Sequence, residues 1–311
     1  MEAKGRGVSD TTAIAWTRST FNPWIGCTKV SPGCDHCYAE ALDARYKWGG
    51  ATHWGPGVPR HRTSASYWKQ PVLWNAKQTS MLAGDPSTVP WRVFPSLCDP
   101  FDNEVSEAWR QDWWELIAET PNLTWLLLTK RIGNAARMLE TDGGVFDNVW
   151  LGASIVNQEE ADRDIPKLLA TPAAKRFVSY EPALGPVDFT AIRRNLGGES
   201  YEIFDALYEK DPLNKGTWQP RLDQIIVGGE SAQGGAKARP FDLAWARSTV
   251  AQCKAAGVPV LVKQLGSSPE WNDPDPENSE PPYWMAVNLK DRAGADPAEW
   301  PEDLRVQEFP I

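Results

Sequence analysis

Three of the chain's five cysteines lie close together, at Cys27, Cys34 and Cys37. Their spacing is C-x6-C-x2-C, and Pro32-Gly33 predicts a tight turn that brings Cys27 back toward the other two. Three thiolates cannot fill the four positions of a closed zinc or iron–sulfur site. They can hold three irons of a [4Fe–4S] cluster and leave the fourth iron open to a small ligand. An open iron is what chemistry on S-adenosylmethionine requires.

A second group of polar residues lies where buried strands are predicted to end. S-adenosylmethionine on an open iron needs a carboxylate or carbonyl for its ammonium group and hydroxyl partners for its ribose. Glycines allow the backbone to approach a ligand closely. A polar residue at the end of one strand could simply begin the next helix. Six predicted strands in this chain end in polar residues, however, and that number favours a binding site. The candidate cofactor-binding residues are Asp99, Ser154, Glu181, Gly228, Gly229 and Glu230.

The spacing of apolar residues predicts the elements that hold these groups. Buried strands are expected at 91–98, 123–129, 149–155, 176–180, 224–227 and 258–262, and helices at 104–118, 132–139, 159–169 and 242–255. Apolar strands that alternate with amphipathic helices predict a parallel sheet. With a first strand inside 14–24, about seven units predict an α/β fold, a full or partial (β/α) TIM-like barrel. The alternative is an open doubly wound sheet, although the cysteines stand where its glycine-rich turn would be.

Residues 27–40 read C-T-K-V-S-P-G-C-x-x-C-Y-A-E, which resembles the cluster loop of a phage- and plasmid-borne radical SAM-like family. Members of that family are often encoded beside a three-Cys-motif partner protein. The likeness covers most of the chain, at 17–24, 127–131, 148–152, 161–163, 181–188, 227–231 and 263–264. The first cysteine gap is longer than in the usual C-x3-C-x2-C motif, and His36 stands where an aromatic residue is usual.

The resemblance implies a barrel of the radical SAM type, with a [4Fe–4S] cluster at the three cysteines and S-adenosylmethionine as cofactor. An electron donor would drive reductive cleavage of S-adenosylmethionine. The phage context implies a nucleic-acid base or nucleotide as substrate, in DNA modification or repair. Such enzymes often bind the cofactor's ammonium with a Gly-Gly-Glu run, which here is Gly228-Gly229-Glu230, after the sixth strand. Some lyases of the superfamily use a cysteine as hydrogen-atom donor, a catalytic role open to Cys98; core packing is the alternative.

Basic residues mark the candidate substrate contacts. The formal net charge is −9, so any contact with a nucleic acid must be local. Residues 49–71 form a long segment that combines Arg60 and Arg62 with tryptophans, which can stack on bases. Lys130 and Arg131 follow a strand and could bind a substrate phosphate, and Lys130 is also a candidate catalytic group. The alternative for each basic group is a solvated charged surface.

Composition bounds the class and organisation of the protein. Its 311 residues, 41% hydrophobic and 23% charged, have an ordinary globular balance. No apolar segment predicts a membrane span or a signal peptide, so we expect a cytoplasmic protein. We predict a flexible N-terminus at 1–13, a barrel at 14–266 with an insertion at 190–221, and a C-terminal tail at 267–311 that packs on the barrel.

The sequence leaves two other functions open. A zinc-stapled nucleic-acid-binding module would use the three cysteines with His36 or His53 as a further ligand. A Mg²⁺-dependent nuclease or hydrolase would use Asp99, Glu181 and Glu230, and would leave the cysteines without a role. The iron, sulfide and zinc content of anaerobically purified protein separates these functions from the radical enzyme.

Overall fold

The computed structural model describes residues 10–142, 146–211, 217–218, 220–233, 235–272 and 284–310. Its strands are β1 (Ser19–Thr20), β2 (Trp24–Ile25), β3 (His61–Arg62), β4 (Trp91–Phe94), β5 (Leu123–Thr129), β6 (Val149–Ile155), β7 (Lys175–Tyr180), β8 (Ile192–Gly197), β9 (Ser200–Phe204), β10 (Lys210–Asp211), β11 (Thr217–Trp218), β12 (Gln224–Gly228), β13 (Phe241–Asp242), β14 (Val260–Gln264), β15 (Pro269–Asn272) and β16 (Trp284–Ala286). Its α-helices are α1 (Tyr38–Tyr46), α2 (Ala65–Trp68), α3 (Gln70–Gly84), α4 (Glu107–Glu119), α5 (Ile132–Asp142), α6 (Gln158–Ala170) and α7 (Leu243–Ala256).

The central sheet has seven parallel strands in the order β1-β4-β5-β6-β7-β12-β14. Strand β6 is buried at every residue, as expected for a strand that is covered on both faces. Six strands each contribute a residue to one apolar cluster that also contains Trp16, so the sheet curls around this cluster as a half-barrel. The predicted parallel α/β sheet is confirmed, in the form of a partial barrel.

The largest difference from the predicted elements is helix α3, which begins inside the segment expected to be a long loop. Its buried side chains are Pro71, Trp74 and Gln78, at helical spacing. The same helix exposes Val72 and Leu73, so its apolar residues do not form one stripe in the sequence. The first strand is also much shorter than expected, because β1 pairs with β4 over only two residues.

The chain outside the sheet packs at its edges. Within the predicted insertion, β8 and β9 form an antiparallel hairpin. Near the C-terminus, Glu308 N donates to the Val260 carbonyl at 2.9 Å and Val262 N to the Val306 carbonyl at 2.8 Å, so this segment lies along the edge of β14. Residues 1–9 of the N-terminus that we predicted to be flexible lie outside the described residues. In the described ranges, no helix is both long and apolar enough to cross a membrane.

Candidate active site

A cavity of about 510 Å³ lies at the carboxyl ends of the sheet strands, where β/α barrels gather their reactive groups. Its volume is in the range of small-molecule sites. Aromatic side chains of the inner apolar cluster, Trp16 and Phe94, form part of its wall. Ten predicted site residues line it: Cys27, Cys34, Cys37, Cys98, Asp99, Lys130, Ser154, Glu181, Gly229 and Glu230. Four do not: Arg60, Arg62, Arg131 and Gly228.

The cysteine loop contains a turn of 3-10 helix, Pro32–Cys34, and leads into α1. The Ser31 hydroxyl accepts a hydrogen bond from Gly33 N at 3.0 Å, which begins the turn. Burial raises the pKa of Cys27 to about 12 and also raises that of Cys37. These thiols are therefore protonated at neutral pH, and a bound metal would have to displace their protons.

Arg131 holds Cys27, the first cysteine of the loop, in place by hydrogen bonds. Its Nη1 donates to Cys27 Sγ at 3.3 Å and to Asp99 Oδ2 at 3.1 Å, and its Nη2 donates to the Thr28 carbonyl at 2.5 Å. Only 8% of each side chain of the Arg131–Asp99 pair is exposed. The structure therefore uses Arg131 to hold the cysteine loop, and does not place its guanidinium where the predicted substrate phosphate would lie.

Groups of the protein itself occupy the hydrogen-bonding capacity of the Asp99 carboxylate. Its Oδ1 accepts hydrogen bonds from Thr129 Oγ1 at 2.7 Å and Phe101 N at 3.0 Å. Its Oδ2 accepts from Lys130 N and from Arg131 Nη1, both at 3.1 Å. A carboxylate offers about four lone-pair sites, so these four donors account for all of them. Asp99 thus orients Arg131, and no lone pair is left for the cofactor's ammonium.

Glu230 and Arg239 fasten the other end of the cysteine loop. Arg239 donates to the Glu230 carboxylate through Nη2 at 2.5 Å and through its backbone N–H at 2.9 Å. His36 Nδ1 lies 2.9 Å from the same carboxylate, and Arg239 Nη1 donates to the Pro32 carbonyl at 2.9 Å. Burial raises the pKa of Glu230, but the hydrogen bonds from Arg239 and His36 outweigh it and the net pKa is lowered. The carboxylate of the predicted Gly-Gly-Glu run therefore anchors the loop.

We expect Arg239→Met to lower the free energy of unfolding by about 2–3 kcal/mol, because the substitution removes the guanidinium and leaves the buried Glu230 carboxylate with His36 and the backbone N–H of residue 239 as its remaining partners. Chemical denaturation measures this loss. The folded-state pKa of Glu230 is below its ordinary 4.5. The ionised Glu230 carboxylate therefore stabilises the folded wild-type protein above pH 4.5, and this stabilisation is lost as the pH falls through the lowered pKa.

The matched control for Arg239→Met is Arg247→Met. Arg247 pairs with Asp303 on the surface, where 29% and 54% of the two side chains are exposed, and such pairs are worth about 0–1 kcal/mol. Equal losses in the two variants would show that Arg239 does not anchor the loop.

The two predicted glycines approach other parts of the protein closely. A Cβ at Gly229 would lie 2.4 Å from the Leu265 carbonyl oxygen, and one at Gly228 would lie 2.9 Å from Glu181 Oε1. Any side chain at these positions would displace the neighbouring strand end or the Glu181 carboxylate. The close approach that we predicted to a ligand is therefore made, for both glycines, to the protein itself.

Glu181 is less fully hydrogen-bonded than Asp99 and Glu230. Its Oε2 accepts a hydrogen bond from Ser179 Oγ at 3.2 Å. Lys263 Nζ lies 3.0 Å from Oε1 as an ion pair, but outside hydrogen-bond geometry, so Oε1 accepts no hydrogen bond from the described residues. Of the three candidate carboxylates, Glu181 is the one with a buried oxygen that accepts no hydrogen bond from the described residues.

Cys98 and Cys253 differ in their surroundings. Cys98 lines the cavity, and its neighbour across an isolated parallel bridge is Gly26, next to Cys27. Burial raises the pKa of Cys98 well above its ordinary value, so it carries an S–H group at neutral pH. Cys253 is fully buried on the core-facing side of α7. The structure gives Cys98 access to the cavity, whereas Cys253 has none.

The two predicted arginines of residues 49–71 are both paired with carboxylates, Arg60 inside the protein and Arg62 at its surface. Arg60 donates to Asp102 Oδ2 at 2.8 Å, to Thr28 Oγ1 at 2.7 Å and to three backbone carbonyls. Arg62 pairs with Asp112 at 2.6 Å and lies over the ring of Trp68. In this structure the predicted substrate residue Arg60 is not presented to solvent, because 1% of its side chain is exposed.

The positions of the histidines and carboxylates bear on the metals that the cavity could hold. His36 faces Glu230, and His53 Nδ1 lies 2.9 Å from Asp43 Oδ1, so each of these two histidines has a carboxylate partner. Among the described residues, no three His, Cys, Asp or Glu side chains gather as the ligands of one ion. A [4Fe–4S] cluster needs only sulfur donors, and each cysteine binds a different iron. Three thiols on one cavity, with an arginine N–H on Cys27, fit that requirement.

Some residues of the site carried no signal in the sequence. Arg239 lies in a segment without periodicity, and only the fold brings it to Glu230 and the cysteine loop. The cavity wall also includes Trp54 and Ala293, which come from segments outside the sheet. Lys263 follows a predicted strand, but the sequence did not indicate its pairing with Glu181.

Comparison with known proteins identifies a family for the chain but no activity. The family described as "Protein of unknown function (DUF5131)" matches residues 11–297. No curated protein matches the chain. No solved structure matches it either.

Proposed function

The chain belongs to the DUF5131 family, and we propose from its cavity that it is an iron–sulfur enzyme of the radical SAM type. It would hold a [4Fe–4S] cluster, reductively cleave S-adenosylmethionine and act on a nucleotide or nucleic-acid base. A separate electron donor is part of this proposal. So is a reducing, cytoplasmic location, which suits five free cysteines.

One observation carries the proposal: the three cysteines of one loop line the same cavity as the polar strand ends of a parallel half-barrel. A structural cysteine cluster would not need a cavity beside it. An active site needs both a metal centre and space for a second molecule. The half-barrel is also the architecture expected for the radical SAM type, which supports the same proposal.

Cys27, Cys34 and Cys37 would hold the cluster. When bound, the cluster would supply the electron that breaks S-adenosylmethionine. The protein's own groups would tune the cluster and bind the cofactor. Arg131 donates an N–H to the Cys27 sulfur, and hydrogen bonds to sulfur tune the potential of iron–sulfur centres. The Glu181 carboxylate would bind a cofactor hydroxyl or ammonium, and the aromatic side chains of Trp16 and Tyr38 would cover a flat base.

The proposal is tested by the iron and sulfide content and the visible spectrum of anaerobically purified protein. We expect about four irons and four sulfides per chain and a brown colour. S-adenosylmethionine added with a reductant should then be cleaved. Protein that carries zinc, or no metal after reconstitution with iron and sulfide, would refute the proposal.

For the cofactor contact, we expect Glu181→Gln to weaken the binding of S-adenosylmethionine by roughly tenfold, the effect of one lost charge-assisted hydrogen bond. The glutamine keeps the size of the side chain, so iron and sulfide content should not change. Equilibrium dialysis with the cluster-loaded protein measures the affinity. Asp112→Asn is the control, because this carboxylate pairs with Arg62 and does not line the cavity. Unchanged binding in Glu181→Gln would remove Glu181 from the cofactor site.

A further inference from the structure

Lys130 is a lysine of the cavity wall without an acidic partner. Its Nζ donates to Ser154 Oγ at 2.5 Å. In the part of the chain that the structure describes, no carboxylate forms an ion pair with it. An ammonium group that is partly withdrawn from water loses hydration, and a hydroxyl does not neutralise its charge. The cavity therefore contains one positive charge that the protein does not balance locally.

The other cations around the cavity are all paired. Lys263 lies 3.0 Å from Glu181, and Lys29 lies 2.8 Å from Glu40. The two loop-anchoring arginines are also paired, Arg131 with Asp99 and Arg239 with Glu230. Charge pairing is thus the rule in this site. The exception at Lys130 indicates that an anion from outside the protein completes it.

The position of the Lys130 side chain is well defined. Its backbone N–H donates to Asp99, and Ser154 holds the other end at the tip of β6. A Cβ at Gly33 would lie 3.1 Å from Lys130 Cε and 2.8 Å from Val156 Cγ1. The lysine stem therefore lies against the cysteine loop, in space that a larger residue at position 33 would fill. Its ammonium is placed between the loop and the strand ends.

We propose that Lys130 and Ser154 form an anion-binding subsite for the substrate, which is a small molecule with a phosphate or carboxylate group. The assignment rests on the proposed function, because it places this anion in the same cavity as the cluster. A small anion is favoured over a nucleic-acid strand for two reasons. Both arginines of residues 49–71 are paired with carboxylates of the protein, and the chain carries a net charge of −9.

Titration of the cluster-loaded protein with inorganic phosphate and with acetate tests the subsite. We expect calorimetry to show binding of at least one of these anions, and Lys130→Gln to weaken it about tenfold or more. Lys130→Arg keeps the charge and should retain the binding within a few-fold, which separates loss of charge from misfolding. Lys29→Met is the control, because the charge that it removes is already paired with Glu40.

Each outcome decides the proposal. Binding that persists with saturating S-adenosylmethionine and is lost in Lys130→Gln supports a substrate subsite. Anion binding that S-adenosylmethionine abolishes would assign Lys130 to the cofactor's carboxylate and overturn it. If the anions bind only to cluster-free protein, the Lys130 ammonium pairs with the charge of the cluster itself, and the proposal is overturned as well. No binding by the wild type, or equal binding by Lys130→Gln, also overturns it. Failure of the proposed function shows separately, as missing iron and sulfide, and the titration is still informative on such protein.

Discussion

Replacing any one of Cys27, Cys34 and Cys37 with alanine is expected to abolish incorporation of the [4Fe–4S] cluster. Three thiolates are the fewest that hold such a cluster with one open iron, so the loss of one leaves two irons without a protein ligand. The measurement is the iron and sulfide content of each variant after anaerobic reconstitution, together with its visible spectrum. The content should fall from about four of each per chain to near zero.

The control for these variants is Cys253→Ala. Cys253 is fully buried in the core and does not line the cavity, so its loss should cost some stability and leave the iron content unchanged. Cys98→Ala is more informative, because Cys98 lines the cavity close to Cys27. A normal cluster in any triplet variant, with loss of the cluster in Cys98→Ala, would show that the ligand set is assigned wrongly.

The largest expected effect on stability is that of Arg60→Met. Arg60 and Asp102 form an ion pair at 2.8 Å with 1% and 2% of their side chains exposed, and removal of one partner leaves the other charge buried. Breaking such a pair costs about 3–5 kcal/mol. We expect a loss of that size in the free energy of unfolding, measured by chemical denaturation of the cluster-free protein.

Arg62→Met is the matched control for Arg60→Met. Arg62 lies two residues away, but about a third of its side chain is exposed, and surface pairs like that with Asp112 contribute about 0–1 kcal/mol. The two variants also bear on the predicted nucleic-acid contact. If Arg60→Met folds with wild-type stability and loses affinity for a single-stranded oligonucleotide, the buried role is wrong and the substrate role returns.

The sequence by itself determined the sheet. Strands β5 and β6 have the bounds that their apolar runs predict, because a strand buried on both faces must be apolar throughout. It also determined that polar groups gather at one end of the sheet, since parallel strands carry their carboxyl ends to the same edge. The cysteine spacing indicated a metal loop for a similar local reason. A turn at Pro32–Cys34 depends on residues next to one another in the chain.

Only the tertiary structure decided what each polar group does. Asp99, Glu181 and Glu230 are equivalent in the sequence, as acidic residues at strand ends, yet two of them each bind an arginine and one has an oxygen that accepts no hydrogen bond from the described residues. Arg131 and Lys130 are adjacent, yet Arg131 pairs with the Asp99 carboxylate and Lys130 donates to the Ser154 hydroxyl. The reason is physical. A charged side chain acts according to the partners within hydrogen-bond distance, and partners such as Arg239 for the Pro32 carbonyl or Glu230 for His36 come from distant parts of the chain. Local sequence patterns contain no information about those distances.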